Sequence, residues 1–249
     1  MLTTLTTIEI TLLVSGLCTV AMMYAMVGHG GGSGYIAVLA LASFSPETLR
    51  PTVLTLNICV ASISTFAFNK QSKAKPSLLI PLILMSIPCS FIGGLIHLDP
   101  SIYKPVLGVV LALASARLFM IRKQKQTQPA PLLLVLLLGA SIGLISGMIG
   151  IGGGIFLSPI LLLCGFATAR ETAAVSAPFI LCNSVAALLG VMFTEQAVSN
   201  ITMNALPLAC GVVVGGIIGA NIGSKKLGQG GLRVMLGVVL VIAAIKMFM

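Results

Sequence analysis

The sequence predicts an all-α integral membrane protein, a polytopic helical bundle of two inverted repeats, each with a Gly-rich broken-helix hairpin segment. Three observations carry that expectation. Of the 249 residues, 57% are hydrophobic and 8% charged, whereas a water-soluble domain uses about a quarter charged side chains. The apolar stretches are mostly of helical length rather than the short alternating segments of a membrane barrel. One glycine-rich interruption occurs twice, as VGHGGGSGYI at 27–36 and IGIGGGIFLSP at 149–159.

The first apolar run, Ile8 to Val27, has 20 residues, or about 30 Å of helix, enough to cross a bilayer once. No Lys or Arg precedes it, so it reads as a retained helix rather than a secretory signal. After the first break comes Tyr35 to Phe44, too short to cross unaided. The turn residues Ser45, Pro46 and Glu47 follow, then Pro51 at a plausible helix start. Further runs are Val53 to Phe68, Leu78 to Ile96 and Ile102 to Ile121, the last two separated by Asp99 and Pro100. The polar stretch RKQKQTQPAP is the one clear linker. Beyond it the order repeats: Leu132 to Ile149, the second break, the short Ile155 to Phe166, then Thr172 to Phe193, Ile201 to Ile222 and Leu232 to Met249.

One constant shift lays Gly28, Gly30, Gly31 and Gly32 on Gly150, Gly152, Gly153 and Gly154, with Arg50 and Arg170 at similar distances downstream. A duplication explains this economically, with repeat 1 at 1–121, a basic cytoplasmic linker at 122–130 and repeat 2 at 131–249. Basic residues gather in three loops, at 70–75, 122–128 and 225–226, the pattern that marks the cytoplasmic side. An even number of net crossings must then separate the second loop from the third. The count works if the short segment of repeat 2 crosses, or if it and the run before it form a re-entrant hairpin. It fails if the short segment alone is re-entrant. Either permitted route inverts the halves relative to each other, a recurring design of secondary transporters.

A membrane helix that breaks leaves backbone polar groups unpaired, and such breaks persist only where protein, water or a ligand satisfies them. Glycine permits positive φ and close approach to the backbone. The short helix after each break aims its N-terminal N–H groups back at the loop. Two such loops form a neutral cradle for an anion. Close helix packing accounts for Gly93, Gly94, Gly215, Gly216 and Gly219, but poorly for two matched breaks. Nucleotide loops are excluded, because no GK[ST] follows and no strand precedes either motif. The net charge of +9 lies in loops, not along a nucleic-acid-binding face. All six cysteines sit in apolar segments without a CxxC pair, as small buried hydrophobes.

The duplicated GxGGG, with the continuation GIGGGIFLSPILLLCGFATARETAAVSAPFILCNS from Gly150 to Ser184, resembles the sulfite exporter TauE/SafE family. That family belongs to the broader toluene-sulfonate uptake permease superfamily. The resemblance covers essentially the whole chain. In the first half, His29 stands where the second half has Ile151, and nothing matches Pro159. The resemblance implies a multi-pass carrier in the bacterial inner membrane for small sulfur-containing or organic anions such as sulfite, sulfonates or sulfoacetate. It implies no enzyme activity and no cofactor. The candidate coupling ion is a proton or sodium, and the candidate assembly a homodimer.

The expected substrate contacts are Gly28, His29, Gly30, Gly31, Gly32 and Ser33 from the first break, with Asn57 behind it. Gly150, Gly152, Gly153 and Gly154 come from the second break, with Ser176 and Asn183 behind it. His29 either titrates or donates to the anion. Otherwise it is a loop histidine capping carbonyls. Arg50 and Arg170 either attract anions at a vestibule or gate, or anchor at the interface beside Glu47 and Glu171. Thr55, Asn57, Ser176, Asn183 and Ser184 orient substrate oxygens or serve as interhelical glue. Two other function classes have footholds. Met22, Met26 and His29 share a helical face and are soft copper ligands, though methionines in so apolar a chain chiefly pack. Gly31 to Gly34 match the GxSG of rhomboid-type intramembrane proteases, with Ser33 as nucleophile and His97 as base.

Overall fold

The computed structural model describes residues 6–96 apart from 43 and 45, six positions between 109 and 120, 127–194 and 198–247. His97, Asp99, Pro100 and the linker residues Arg122, Lys123 and Lys125 lie outside them, as does most of the expected helix 102–121.

The chain runs through α1 (Thr7–Ala25), α2 (Gly32–Leu41), α3 (Pro46–Gln71), α4 (Pro76–Leu95), α5 (Leu132–Ile149), α6 (Gly154–Leu163), α7 (Ala169–Thr194), α8 (Val198–Asn221) and α9 (Gln229–Met247). A π-helical turn, Ile222–Lys226, prolongs α8. Among the described residues, six helices are long and apolar enough to cross a membrane, while α2 and α6 have 10 residues each. Large apolar side chains face outward, Ile8 and Phe66 among them, as a lipid-facing perimeter requires. The protein is a multi-pass helical membrane protein.

Several helices extend past the apolar runs because their first turns are polar and capped. At α7, Glu171 Oε2 accepts from the Thr168 N–H at 2.8 Å and the Thr168 hydroxyl from the Glu171 N–H at 3.3 Å. This is a capping box, and it starts the helix at Ala169 rather than Thr172. A second box, Thr6 with Glu9, starts α1.

Both short helices double back. Val20 and Val38 of the α1–α2 pair meet Gly34 and Gly16 across the hairpin. Gln128, just before α5, donates its backbone N–H to Gly165 O at 2.9 Å and its side-chain Nε2 to Cys164 O at 2.8 Å. The α5–α6 pair therefore ends beside its own beginning.

Between helices already in lipid, apolar side chains gain little by moving into protein, so close backbone approach and polar contacts must hold the bundle. Two glycine seams provide that approach. Along α5, a Cβ on Gly139 or Gly143 would lie 2.6 Å from Leu82 O or 2.5 Å from Ser86 O of α4. Along α8, a Cβ on Gly215, Gly219 or Gly223 would collide with the carbonyls of Cys18, Met22 and Met26 in and just beyond α1. Thus α4 packs on α5 and α7, α8 packs on α1 and α3, and α3 and α7 meet between them.

Candidate functional site

Each break is held open by left-handed backbone. Gly31 caps α2 at φ 106° and Gly153 caps α6 at φ 84°. An L-residue there pays the Cβ–carbonyl clash that glycine avoids. The first loop folds back on α1, with the His29 N–H donating to Tyr24 O at 3.0 Å. The Tyr35 hydroxyl donates to Gly30 O at 2.6 Å. The second loop closes on α5, where Gly150 and Ile151 donate to Ser146 O at 2.8 and 3.2 Å.

The two loops meet. A Cβ on Gly32 would sit 3.0 Å from Ile151 Cα, so only glycine allows that approach. Asn57 of α3 spans the junction: its Oδ1 accepts from the Gly32 N–H at 3.1 Å. Its Nδ2 donates to Ser184 Oγ of α7 at 2.8 Å and reaches Ile151 O at 3.4 Å. Gly30 and Gly152 both crowd the Asn57 amide, leaving no room for a side chain at either position. His29 makes the second bridge. Its Nε2 lies 2.7 Å from Ser158 Oγ of α6, which lies 2.8 Å from Ser176 Oγ of α7. Nδ1 of the same buried ring has no partner among the described residues. Beside it, the Tyr24 and Ser33 hydroxyls are 2.7 Å apart.

Between these groups lies a cavity of about 10 Å³, lined by Tyr24, His29, Ser33, Ile151, Ile155, Ile180 and the glycines Gly30, Gly31, Gly32 and Gly154. That is space for about one water. Gly30, Gly31, Gly152 and Gly153 are buried and their N–H groups donate to no acceptor among the described residues; Gly30 and Gly31 line the cavity, whereas Gly152 and Gly153 lie in the second break without lining it. Buried backbone donors are almost always paired, and the unpaired ones of Gly30 and Gly31 sit at the wall of this cavity. Gly154 lines the cavity against Ile180 and His29, while Gly28 packs on Ala173 O.

Other residues singled out in the sequence lie apart from this junction. Asn183 is fully buried, but neither amide atom has a partner among the described residues, and it does not line the cavity. Its carbonyl accepts from Ser90 Oγ at 2.9 Å. Arg50 is buried at the C-terminal ends of α4 and α5, donating to Gly93 O at 2.9 Å, Gly147 O at 2.6 Å and Ile96 O at 3.2 Å. A guanidinium there meets the negative ends of two helix dipoles and bonds carbonyls of their last turns. Arg50 also packs against Gly150, so it braces the second break from behind. Arg170 donates to Leu227 O at 2.9 Å, while its neighbour Glu171 pairs instead with Lys75 at 3.1 Å. The Thr55 hydroxyl returns to Pro51 O of its own helix. Met22 and Met26 sit on the glycine seam of α8 through their carbonyls. No cluster of three or more His, Cys, Asp or Glu side chains that could hold a metal forms among the described residues. Ser33 pairs with a tyrosine, and His97 lies outside the described residues.

Sequence reasoning passed over Ser158, Tyr24 and Tyr35. Two of the chain's three tyrosines flank the first break, and Ser158 is the one hydroxyl in an otherwise apolar short helix. Those were the available signals.

A family model described as "Sulfite exporter TauE/SafE" matches residues 12–247. A protein of Sinorhizobium fredii, named as a probable membrane transporter, is 39% identical over 235 residues, covering 92% of this chain and 94% of that protein. A similarly named protein of Methanocaldococcus jannaschii is 28% identical over 203 residues, 76% of this chain and 74% of its own.

Proposed function

The chain belongs to the sulfite exporter TauE/SafE family of membrane transporters, and from that premise we propose that it carries a small sulfur-containing or organic anion, sulfite or a sulfonate, by alternating access at the junction of its two glycine breaks. The main support is the pair of buried, unpaired N–H groups of Gly30 and Gly31 at the cavity wall, together with those of Gly152 and Gly153 in the second break that meets it. Donors of this kind suit an oxyanion, because each oxygen accepts from a fixed N–H and the N-terminal dipoles of α2 and α6 add positive potential. Among the described residues no lysine or arginine lines the cavity. A neutral cradle binds an anion without holding it so tightly that release becomes limiting, and partners of fixed charge would oppose release.

The cavity in this conformation has room for about one water, so an anion enters only when the breaks move apart. Residues 1–121 and 131–249 act as inverted repeats joined by the linker 122–130. The exchange of partners supports this: α4 packs on α5 and α7 much as α8 packs on α1 and α3. With the basic loops on the cytoplasmic side of a bacterial inner membrane, the α1–α2 hairpin enters from outside and α5–α6 from the cytoplasm. Rocking one repeat against the other then opens the junction to either face in turn. His29 modulates binding through its unpaired Nδ1, with Ser158 and Ser176 holding the opposite nitrogen. The driving force is an ion gradient, of protons or sodium.

Reconstitution into liposomes tests the reading. Purified protein should give saturable flux of labelled sulfite or a sulfonate in metal-free buffer. Absence of flux across a panel of small anions, or flux of copper alone, would overturn it.

A further inference from the structure

Away from the central junction, α3 and α8 line a groove of about 480 Å³ at their basic ends. Its lining is apolar at Ile63, Phe66 and Ile217 and polar at Lys70, Asn221 and Lys225. We propose that this groove is a binding site for an anionic glycerophospholipid, with the phosphate between Lys70 and Lys225 and an acyl chain along Phe66.

The charge balance favours an anion. Among the described residues neither lysine has an acidic partner, since the one ion pair present joins Lys75 and Glu171. Among the described residues no Asp or Glu lines the groove. Lys70 is instead stacked 5.4 Å over the Phe66 ring, which draws its ammonium along the groove wall. The position of Lys225 is set by backbone. The α-helix gives way to a π-helical turn at Ile222–Lys226, and Gly223 within it is pressed on Met26 O. Such single π turns are rare and recur at functional sites.

The geometry favours a lipid over a free phosphate. Phe66 is 72% exposed and faces the perimeter, so the groove opens to the bilayer. From Ser62 to Lys70 the helix rises about 12 Å, the span from headgroup depth into the acyl region. Water-soluble phosphate has no use for that apolar wall. Basic pockets between membrane helices are known to take phospholipid headgroups.

Native mass spectrometry on the full-length protein provides the test, with added phosphatidylglycerol or phosphatidylcholine as probes. The wild type should retain phosphatidylglycerol preferentially. Lys70→Gln and Lys225→Gln should each weaken that binding about five-fold, and the double variant about 25-fold. Phe66→Ser should weaken long-chain phosphatidylglycerol while leaving any effect of inorganic phosphate unchanged. Because the three side chains are exposed, monodispersity should match wild type. Equal retention of both lipids, undiminished retention by the double variant, or competition by inorganic phosphate at lipid concentrations would overturn the proposal. So would a double variant whose sole change is loss of a dimer, since the groove would then be covered by a second copy.

Discussion

Gly152 and Gly165 share one backbone conformation, with φ 74° and 71°, but different surroundings, so alanine at each separates strain from crowding. At Gly165 a Cβ meets nothing within 4 Å. The cost there is the left-handed conformation alone, about 1–2 kcal/mol for an L-residue. At Gly152 the same strain applies, and the Cβ also falls 2.5 Å from Asn57 Nδ2, 2.6 Å from Ser184 Oγ and 2.9 Å from Ile180 Cγ2. Overpacking of that kind adds about 1–3 kcal/mol. Moving the Asn57 amide aside also disturbs its bonds to Ser184 and Gly32, each worth about 0.6 kcal/mol in a membrane bundle. Gly152→Ala should therefore be less stable than Gly165→Ala by about 2–4 kcal/mol. Thermal unfolding of both variants in one detergent, referenced to wild type, reads the gap. Equal shifts, or a larger shift for Gly165→Ala, would refute the proposed contact between the second break and Asn57.

Asn57→Ala should leave the Gly32 N–H and Ser184 Oγ without their partner, lower stability by about 1–2 kcal/mol and speed hydrogen exchange at Gly32. Arg50→Lys replaces a fork reaching three carbonyls with a point donor, and should cost about 1–3 kcal/mol by thermal unfolding. Gly219→Leu drives a side chain into Met22 O and should abolish monodispersity in size-exclusion chromatography. Gly230→Leu, with nothing within 4 Å, should not. Lys75→Gln removes a partly exposed ion pair with Glu171 and should shift stability by less than about 1 kcal/mol, with the difference vanishing in high salt.

The helical membrane class was legible from composition, because 8% charged residues cannot clothe a soluble surface. The start of the short helices was legible to within a few residues. Tyr35 to Phe44 became Gly32–Leu41 because Gly32 and Gly34 lie inside the helix, packed on Ile151 and Val20. An apolar-run reading also clipped α3 to Val53–Phe68, where Pro46–Gln71 is helical, since polar end turns carry no hydropathy signal. The partners of His29 were not legible. Its bond to Ser158 joins residues 129 apart and depends on how two hairpins dock, and periodicity holds no record of that. Arg50 reads alike as a gate or an interfacial anchor in one dimension. Its three carbonyl partners come from α4 and α5 and from the residue after α4, segments that converge only in the fold.

The most direct test follows the four glycine amides themselves. Protein carrying nitrogen-labelled glycine would be titrated with sulfite, or with whichever anion gives saturable flux, while the resonances of Gly30, Gly31, Gly152 and Gly153 are monitored by NMR. All four should move together, saturating at the concentration that saturates transport. If a transported anion leaves all four unmoved at saturation, the two glycine breaks do not hold the substrate.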